Sequence, residues 1–170
     1  SGLLGQLTWT PVPADSLDTT FDTDGLLTTD FGSSSDYAQA VAVQADGKIV
    51  AAGSAYNGSN TDFALARYNP DGSLDTTFSG DGLLTTDFIN GSAYAHAVVL
   101  QPDGKIVAAG YTWNGSTNDF ALARYNPDGS PDTTFSGDGL LTTDFSGKTD
   151  YARAVDRKST RLNSSHTMTS

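Results

Sequence analysis

The sequence DFALARYNPDGSLDTTF at Asp62–Phe78 returns as DFALARYNPDGSPDTTF at Asp119–Phe135, and this repeat determines the fold. Working outward from it, GLLTTDF begins at positions 25, 82 and 139, and DGKIVAAG begins at positions 46 and 103. Every copy is offset by 57 residues, and 41 of 57 positions agree between residues 18–74 and 75–131. Such self-similarity indicates a chain of structural units that bury their apolar faces against one another.

Each complete period contains four segments whose pattern predicts β-strands. In the first period they are Ala38–Gln44, Lys48–Gly53, Asp62–Asn69 and Leu83–Phe88. Side chains alternate in character every second residue, and β-branched and aromatic residues are frequent. Asp-Gly at 46–47 and Pro-Asp-Gly at 70–72 are typical of tight turns, so we expect consecutive strands to be antiparallel.

The first three predicted strands carry apolar side chains on both faces, so the sheet must be covered on both faces. Four-stranded antiparallel sheets stacked face to face are the blades of a β-propeller. The sequence therefore predicts an all-β fold, a partial β-propeller with about 2.5 copies of a 57-residue repeat. A β-solenoid and a β-sandwich are the alternatives, but 57 residues is long for one solenoid coil and a sandwich would not repeat so regularly.

A closed propeller needs typically 4–8 blades, so we expect the chain to be a fragment of a longer protein. Tandem repeats occupy residues 17–155, with complete blades at about 38–88 and 95–145, after a divergent lead-in over 1–16. The end faces of such a fragment expose apolar surface and strand edges, which predicts marginal stability and a tendency to associate.

Residues 156–170 form a tail that breaks the repeat. Its string DRKSTRLNSSH, at Asp156–His166, resembles the translation of a common sequencing-library adapter. We therefore interpret the tail as non-native or disordered. A genuine basic tail is the alternative, because the string is positively charged in an otherwise acidic chain.

Composition excludes several classes of function. The net charge is −11, and all 20 acidic residues are Asp, so nucleic acid is not an expected partner. We expect no membrane insertion, since no apolar run approaches the length of a span. Cys is absent, which removes thiol chemistry, and His96 is the only His outside the tail. No catalytic arrangement is legible, and we expect the chain not to be an enzyme.

The motif QxDGKIVAAG at Gln44–Gly53 and Gln101–Gly110, together with the run at Asp62–Phe78, resembles the delta-60 repeat family of large, mostly bacterial proteins. The resemblance covers nearly all of residues 17–155, although about two and a half repeats are fewer than the family usually has. It implies a propeller-like fold, an extracellular or cell-surface location and no known catalytic activity. The expected function is thus a non-catalytic scaffold or interaction module whose first partner is the rest of the parent propeller.

The differences between the two complete repeats concentrate at one rim of the predicted blades. Of 16 differences, 9 fall in the passage to the next blade or in the loop segments 54–61 and 111–118. This rim carries the candidate binding residues Tyr56, Asn57, Tyr111, Trp113 and Asn114. Aromatic rings beside amides suit a glycan or a protein partner. Alternatively, these loops vary because little constrains them.

Calcium is the one ligand ion that the sequence suggests, and we expect no other cofactor. The candidate ligands recur in both repeats and are Asn69, Asp71, Asp75, Asn126, Asp128 and Asp132. Ca²⁺ prefers 6–8 oxygen ligands in irregular geometry. The alternative is that the same residues serve the turns. Arg67 and Arg124 lie on the apolar side of their strands, so each needs a carboxylate, with Asp62, Asp87, Asp119 and Asp144 as candidates.

Overall fold

The computed structural model describes residues 16–32, 35–88 and 91–156, and these residues form two four-stranded antiparallel sheets. The first sheet has the order β1-β2-β3-β4 and the second the order β5-β6-β7-β8. The strands are β1 (Asp36–Val43), β2 (Ile49–Tyr56), β3 (Thr61–Tyr68), β4 (Leu83–Thr86), β5 (Ala93–Leu100), β6 (Ile106–Trp113), β7 (Asn118–Tyr125) and β8 (Leu140–Thr143). The described residues contain no helix that is long and apolar enough to cross a membrane.

The strands lie where the sequence predicts them, with shifted ends. β2 extends past Gly53 to Tyr56, because its ladder with β3 continues until Tyr56 faces Thr61 across a short loop. β4 ends at Thr86, because Phe88 leaves the ladder and packs on Phe63 with 4.7 Å between ring centroids. The predicted lead-in over 1–16 and the tail over 156–170 lie outside the described residues, apart from their boundary residues 16 and 156.

A β-bulge interrupts the first strand pair of each sheet at equivalent places. The register of β1 on β2 shifts between Ala38 and Ala40, and that of β5 on β6 shifts between Ala95 and Ala97. A glycine faces each bulge: a Cβ atom on Gly110 would lie 1.9 Å from the carbonyl oxygen of Tyr94. Only glycine permits this close approach of two backbones.

The second sheet stacks face to face on the first, and the main core lies between them. The first sheet contributes side chains from β2 and β3, and the second contributes β5, β6 and β7. Many of the facing residues are Ala, which lets the sheets approach closely. The fully buried members are Val50, Ala52, Phe63, Leu65, Phe78, Ala93, Ala95, Ile106, Ala108, Ala121, Ala123 and Tyr125.

Contacts between successive units recur at the 57-residue offset. The amide of Asp22 donates to the carbonyl of Asp71 at 2.9 Å, and the amide of Ser79 donates to the carbonyl of Asp128 at 2.8 Å. The hydroxyl groups of Thr86 and Tyr125 lie 2.8 Å apart, and Thr29 contacts Tyr68 in the same way at 2.6 Å. Residues 16–32 therefore contact the first sheet in the same way as the equivalent residues of the next repeat, 73–88, contact the second sheet. The fold is all-β, a partial β-propeller of four-stranded antiparallel blades.

Candidate functional site

One end of the blades carries the β2–β3 loop (57–60), the β6–β7 loop (114–117) and the passage that joins β4 of the first blade to β5 of the second. We call this end the upper rim, and it includes Gly91 and Ser92 of the passage. The Asn60 side-chain amide donates to the Gly91 carbonyl at 3.5 Å, and the Thr61 amide donates to the Ser92 hydroxyl at 3.2 Å. The loop of one blade thus contacts the passage to the next. The turns 44–48 and 101–105 and the connections 69–82 and 126–139 form the opposite, lower rim.

Asn57 and Asn114, two of the predicted binding residues, organise the upper-rim loops. The Oδ1 atom of Asn114 accepts hydrogen bonds from the amides of Ser116 and Thr117, each at 2.9 Å. Its Nδ2 group donates to both carboxylate oxygens of Asp119, at 3.0 and 2.8 Å. Asn57 holds its own loop in the same way and donates to Asp62. Their side-chain amides are therefore engaged within the protein.

The aromatic residues of the predicted rim fall into two groups. Trp113 is 41% exposed at the end of β6 and packs beside Gly91 of the passage. Tyr56, at the equivalent position, is half-buried and its hydroxyl donates to the Gly58 carbonyl at 2.8 Å. Tyr111 is different, because it lies two residues before the strand end and its ring rests on the blade face.

The Tyr111 ring belongs to an aromatic cluster on the far side of the second blade. It stacks on Tyr94 and His96 at centroid distances of 5.1 and 5.3 Å. It also contacts the Tyr151 ring in an edge-to-face arrangement, with 4.7 Å between the centroids. Burial lowers the pKa of His96, so its imidazole is neutral at pH 7. These contacts make Tyr111 and His96 part of the packing, so Tyr56 and Trp113 are the predicted aromatics that lie at the upper rim.

An open cleft of about 460 Å³ lies at the upper rim of the first blade. Its lining combines the end of β2, its loop and the preceding passage, and consists of Phe31, Gly32, Ala55, Tyr56, Asn57, Gly58 and Thr85. The volume falls within the range of small-ligand sites, roughly 300–1,000 Å³. The cleft therefore brings Tyr56 and Asn57, both predicted from the sequence, to one surface with Phe31.

Acidic side chains lie just below the upper-rim loops in both blades. Asp62 is buried, and this burial raises the pKa of its carboxyl, with the nearby charge of Asp87 adding to the effect. In the second blade, carboxylate oxygens of Asp119, Asp144 and Asp150 lie within 4.8 Å of one another. The repeat pattern did not predict this grouping, although the third copy of the repeat supplies Asp150.

Arg67 and Arg124 do pair with carboxylates, but the predicted partners were wrong. Arg67 Nε donates to Asp75 Oδ2 at 2.7 Å, and Arg124 Nε donates to Asp132 Oδ2 at 2.7 Å. Each Arg lies near the lower-rim end of its strand, whereas the candidates Asp62, Asp87, Asp119 and Asp144 lie at the upper rim. The length of the strand separates the two sets.

The residues suggested as calcium ligands take part in turns and ion pairs of the lower rim. Asp71 Oδ1 accepts from the amide and the hydroxyl of Ser73, and Asn69 donates to Ser73 and Leu74. Asp128 and Asn126 make the equivalent contacts in the second repeat. Asp75 binds Lys48 and Arg67.

A comparison with known families finds the repeat twice. Residues 44–78 and 101–135 match a family described as "Domain of unknown function (DUF5122) beta-propeller". Each match begins at the first hairpin of a blade, includes the second and third strands, and ends in the lower-rim connection. No curated protein matches the chain. The family description agrees with the observed blades and attaches no activity to them.

Proposed function

We propose that this chain is a non-catalytic interaction module, a segment of a larger secreted or cell-surface bacterial propeller of the delta-60 repeat kind. The single observation that supports the proposal is the distribution of differences between the two repeats. Of the 16 differences, 9 lie at or next to the upper-rim end of the blades, five of them within the ends of β1, β2 and β3, whereas four lie at the lower rim and three elsewhere in β1. A scaffold that presents different side chains on equal blades gives this pattern.

The chemistry of the described residues supports a non-catalytic role. His96 lies in the aromatic cluster, where its ring stacks on Tyr111. The lower-rim carboxylates of Asp75 and Asp132 are held by Lys and Arg side chains. No described hydroxyl is paired with a histidine base, the arrangement that nucleophilic hydrolysis requires.

A glycan is the second candidate partner, because Trp113 stands 41% exposed at the upper rim and Tyr56 lines the cleft. The flat face of an indole stacks on the apolar face of a sugar ring. Since Asn57 and Asn114 are occupied by their own loops, backbone groups and hydroxyls of the rim would supply the polar contacts.

Binding of the purified chain to a glycan array and to defined candidate proteins tests both partners. Trp113→Ala and Tyr56→Ala are the rim variants. The matched control is Val43→Ala, which shortens an apolar side chain that is 63% exposed near the lower rim. We expect any specific signal to fall at least about tenfold in a rim variant, as for an interface anchor, and to persist in the control. Binding that the rim variants leave unchanged would contradict the use of this rim. Hydrolysis of a polysaccharide by the chain would contradict the non-catalytic role.

A further inference from the structure

We propose that Asp119, Asp144 and Asp150, together with the hydroxyl of Thr112, form a binding site for Ca²⁺ in the second blade. These ligands lie beneath the 114–117 loop and differ from those that the repeated turn motif suggested. The proposal stands independently of the function proposed above, because it requires no partner at the upper rim.

The three carboxylates lie close together without a cation of the protein beside them. Their oxygens lie within 4.8 Å of one another. Their hydrogen-bond donors are neutral: Asn114 for Asp119, the amide of Gly147 for Asp144 and the amide of Phe145 for Asp150. No described Lys or Arg side chain forms an ion pair with any of the three. Each carboxylate therefore has unused lone pairs and an uncompensated charge.

Thr112 provides an independent observation that points to a ligand. Its side chain is buried, with 3% of the residue exposed, and its Oγ1 atom has no hydrogen-bond partner. Thr112 lies directly opposite Asp119 in the β6–β7 ladder, so the two side chains share one face of the sheet. A buried hydroxyl without a partner is unfavourable. A cation bound by Asp119 would give this oxygen a partner.

The first blade lacks two of the four ligands at the equivalent positions. Ala55 stands in place of Thr112, and Ala93 stands in place of Asp150. The remaining carboxylates are Asp62 and Asp87, and the Oδ1 atom of buried Asp62 has no partner. The hydroxyl and the third carboxylate are therefore present together in one blade and absent together from the other, as ligands of a single ion would be.

Ca²⁺ fits this set better than Mg²⁺. The ligands are all oxygens and come from two strands, the end of a third and the following passage, which gives an irregular arrangement. Ca²⁺ accepts 6–8 oxygen ligands in flexible geometry, whereas Mg²⁺ requires a near-ideal octahedron and keeps several waters. Three carboxylates carry more negative charge than one divalent ion neutralises. A bound ion therefore reduces the repulsion among them, which favours binding in an acidic chain.

Calorimetric titration of the full chain with CaCl₂ at near-physiological salt tests the site. We expect one saturable site per chain. Asp144→Asn and Asp150→Asn should each weaken Ca²⁺ binding at least tenfold, and Thr112→Val should weaken it severalfold. Asp144 is exposed and Asp150 half-buried, so both near-isosteric variants should fold. Asp87→Asn is the matched control, because it removes the same charge at the equivalent position of the first blade and should leave the affinity unchanged.

Two results would overturn the proposal. One is the absence of saturable binding together with a thermal unfolding midpoint that Ca²⁺ does not change. The other is an equal loss of affinity in Asp87→Asn and Asp144→Asn, which would mean that the acidic surface attracts Ca²⁺ diffusely. A melting experiment on each variant without Ca²⁺ separates loss of the site from loss of the fold.

Discussion

At the scale of single residues, Asp75 connects three elements of the first blade at its lower rim. Its Oδ2 atom accepts from Lys48 Nζ and Arg67 Nε, both at 2.7 Å, and its Oδ1 atom accepts from Thr77. Burial by itself would raise the pKa of Asp75, but the hydrogen bonds from Lys48 and Thr77 and the charge of Arg67 outweigh it and hold the pKa well below its ordinary value. The carboxylate therefore stabilises the fold in its ionised form.

Asp75→Asn should destabilise the protein by about 3 kcal/mol, because it leaves a buried guanidinium without its anion. Asp132→Asn, the same change in the second repeat, should cost less. The side chain of Arg124 is 21% exposed, against 6% for Arg67, so water can replace the lost partner. Urea denaturation at pH 7 measures both values. Equal losses would contradict the assigned difference in burial.

The same pair predicts a dependence on pH. A carboxylate whose pKa is lowered by folding contributes stability above its unfolded pKa, near 3.8, and this contribution is lost as the pH falls through the folded value. The stability difference between the wild type and Asp75→Asn should therefore be constant from pH 7 to about 5 and shrink below pH 4. A difference that persists unchanged in acid would show that the ion pair is not its source.

The sequence predicted the need for an Arg–carboxylate pair but not its members. Alternation along β3 places Arg67 on the apolar face, and this placement indicates that its guanidinium needs a carboxylate. The alternation does not indicate at which rim a carboxylate from a loop will contact Arg67. Asp75 belongs to a turn of irregular backbone, and no periodic pattern assigns its carboxylate to the strand end. The same limit applies to Tyr111, which lies on the sheet face although it is near a rim loop in sequence.

At the scale of elements, the bulge between the first two strands of each blade depends on a glycine. Gly53 and Gly110 face the bulges, and a Cβ atom on Gly53 would lie 1.7 Å from the carbonyl oxygen of Tyr37. The strand pattern in the sequence predicted both strands but not the bulge. A register shift is a property of two strands together, and a glycine inside an apolar strand was its only local signal.

Gly110→Ala should therefore destabilise the protein by more than about 2 kcal/mol, since the added methyl group must displace backbone. Gly137→Ala is the control, because Gly137 has a left-handed φ of +90°, which Gly110 does not, but has open space around its Cβ position. That control should cost only about 1 kcal/mol, the penalty of a side chain in a left-handed conformation. Thermal or urea unfolding compares the two, and a milder effect at Gly110 than at Gly137 would argue against the bulge geometry.

At the scale of the whole molecule, each unit contacts the next through the same set of residues. Phe78 is fully buried and lies under Gly129 of the next blade, while the Arg67 guanidinium covers its ring and Arg67 Nη1 donates to the Pro127 carbonyl. Phe135, the equivalent residue of the second blade, has the Arg124 guanidinium over its ring but is only half-buried. Stacking on a following blade thus accounts for the difference in burial.

Phe78→Ala should cost about 3–5 kcal/mol, the usual loss for a buried Phe. Phe135→Ala should cost clearly less, because its ring is not sealed by another blade in the described part of the chain. Both variants remove the same ring from the same position of the connection after the third strand, so local conformational preferences cancel. Denaturant unfolding measures the difference, and similar losses would mean that contacts between blades contribute little.

The end faces of the chain are less completely packed than the interface between its blades. Tyr37, Val41 and Val43 of β1 are each at least 60% exposed, and a cavity of about 370 Å³ lies between residues 27–31 and the face of the first blade. The repeat period fixed the number of units and their order in advance. How tightly one unit covers the next depends on side-chain packing across the interface, which periodicity does not encode. The tendency to associate stays a prediction.

The central claim is that each 57-residue unit is a four-stranded blade that stacks on its neighbour in chain order. Nuclear Overhauser contacts in solution test it most directly. We predict contacts from the Phe78 ring to the Hα atoms of Gly129, and between Thr86 and the Tyr125 ring, in addition to the cross-strand contacts within each sheet. Cross-strand contacts without those two contacts between blades would contradict the account.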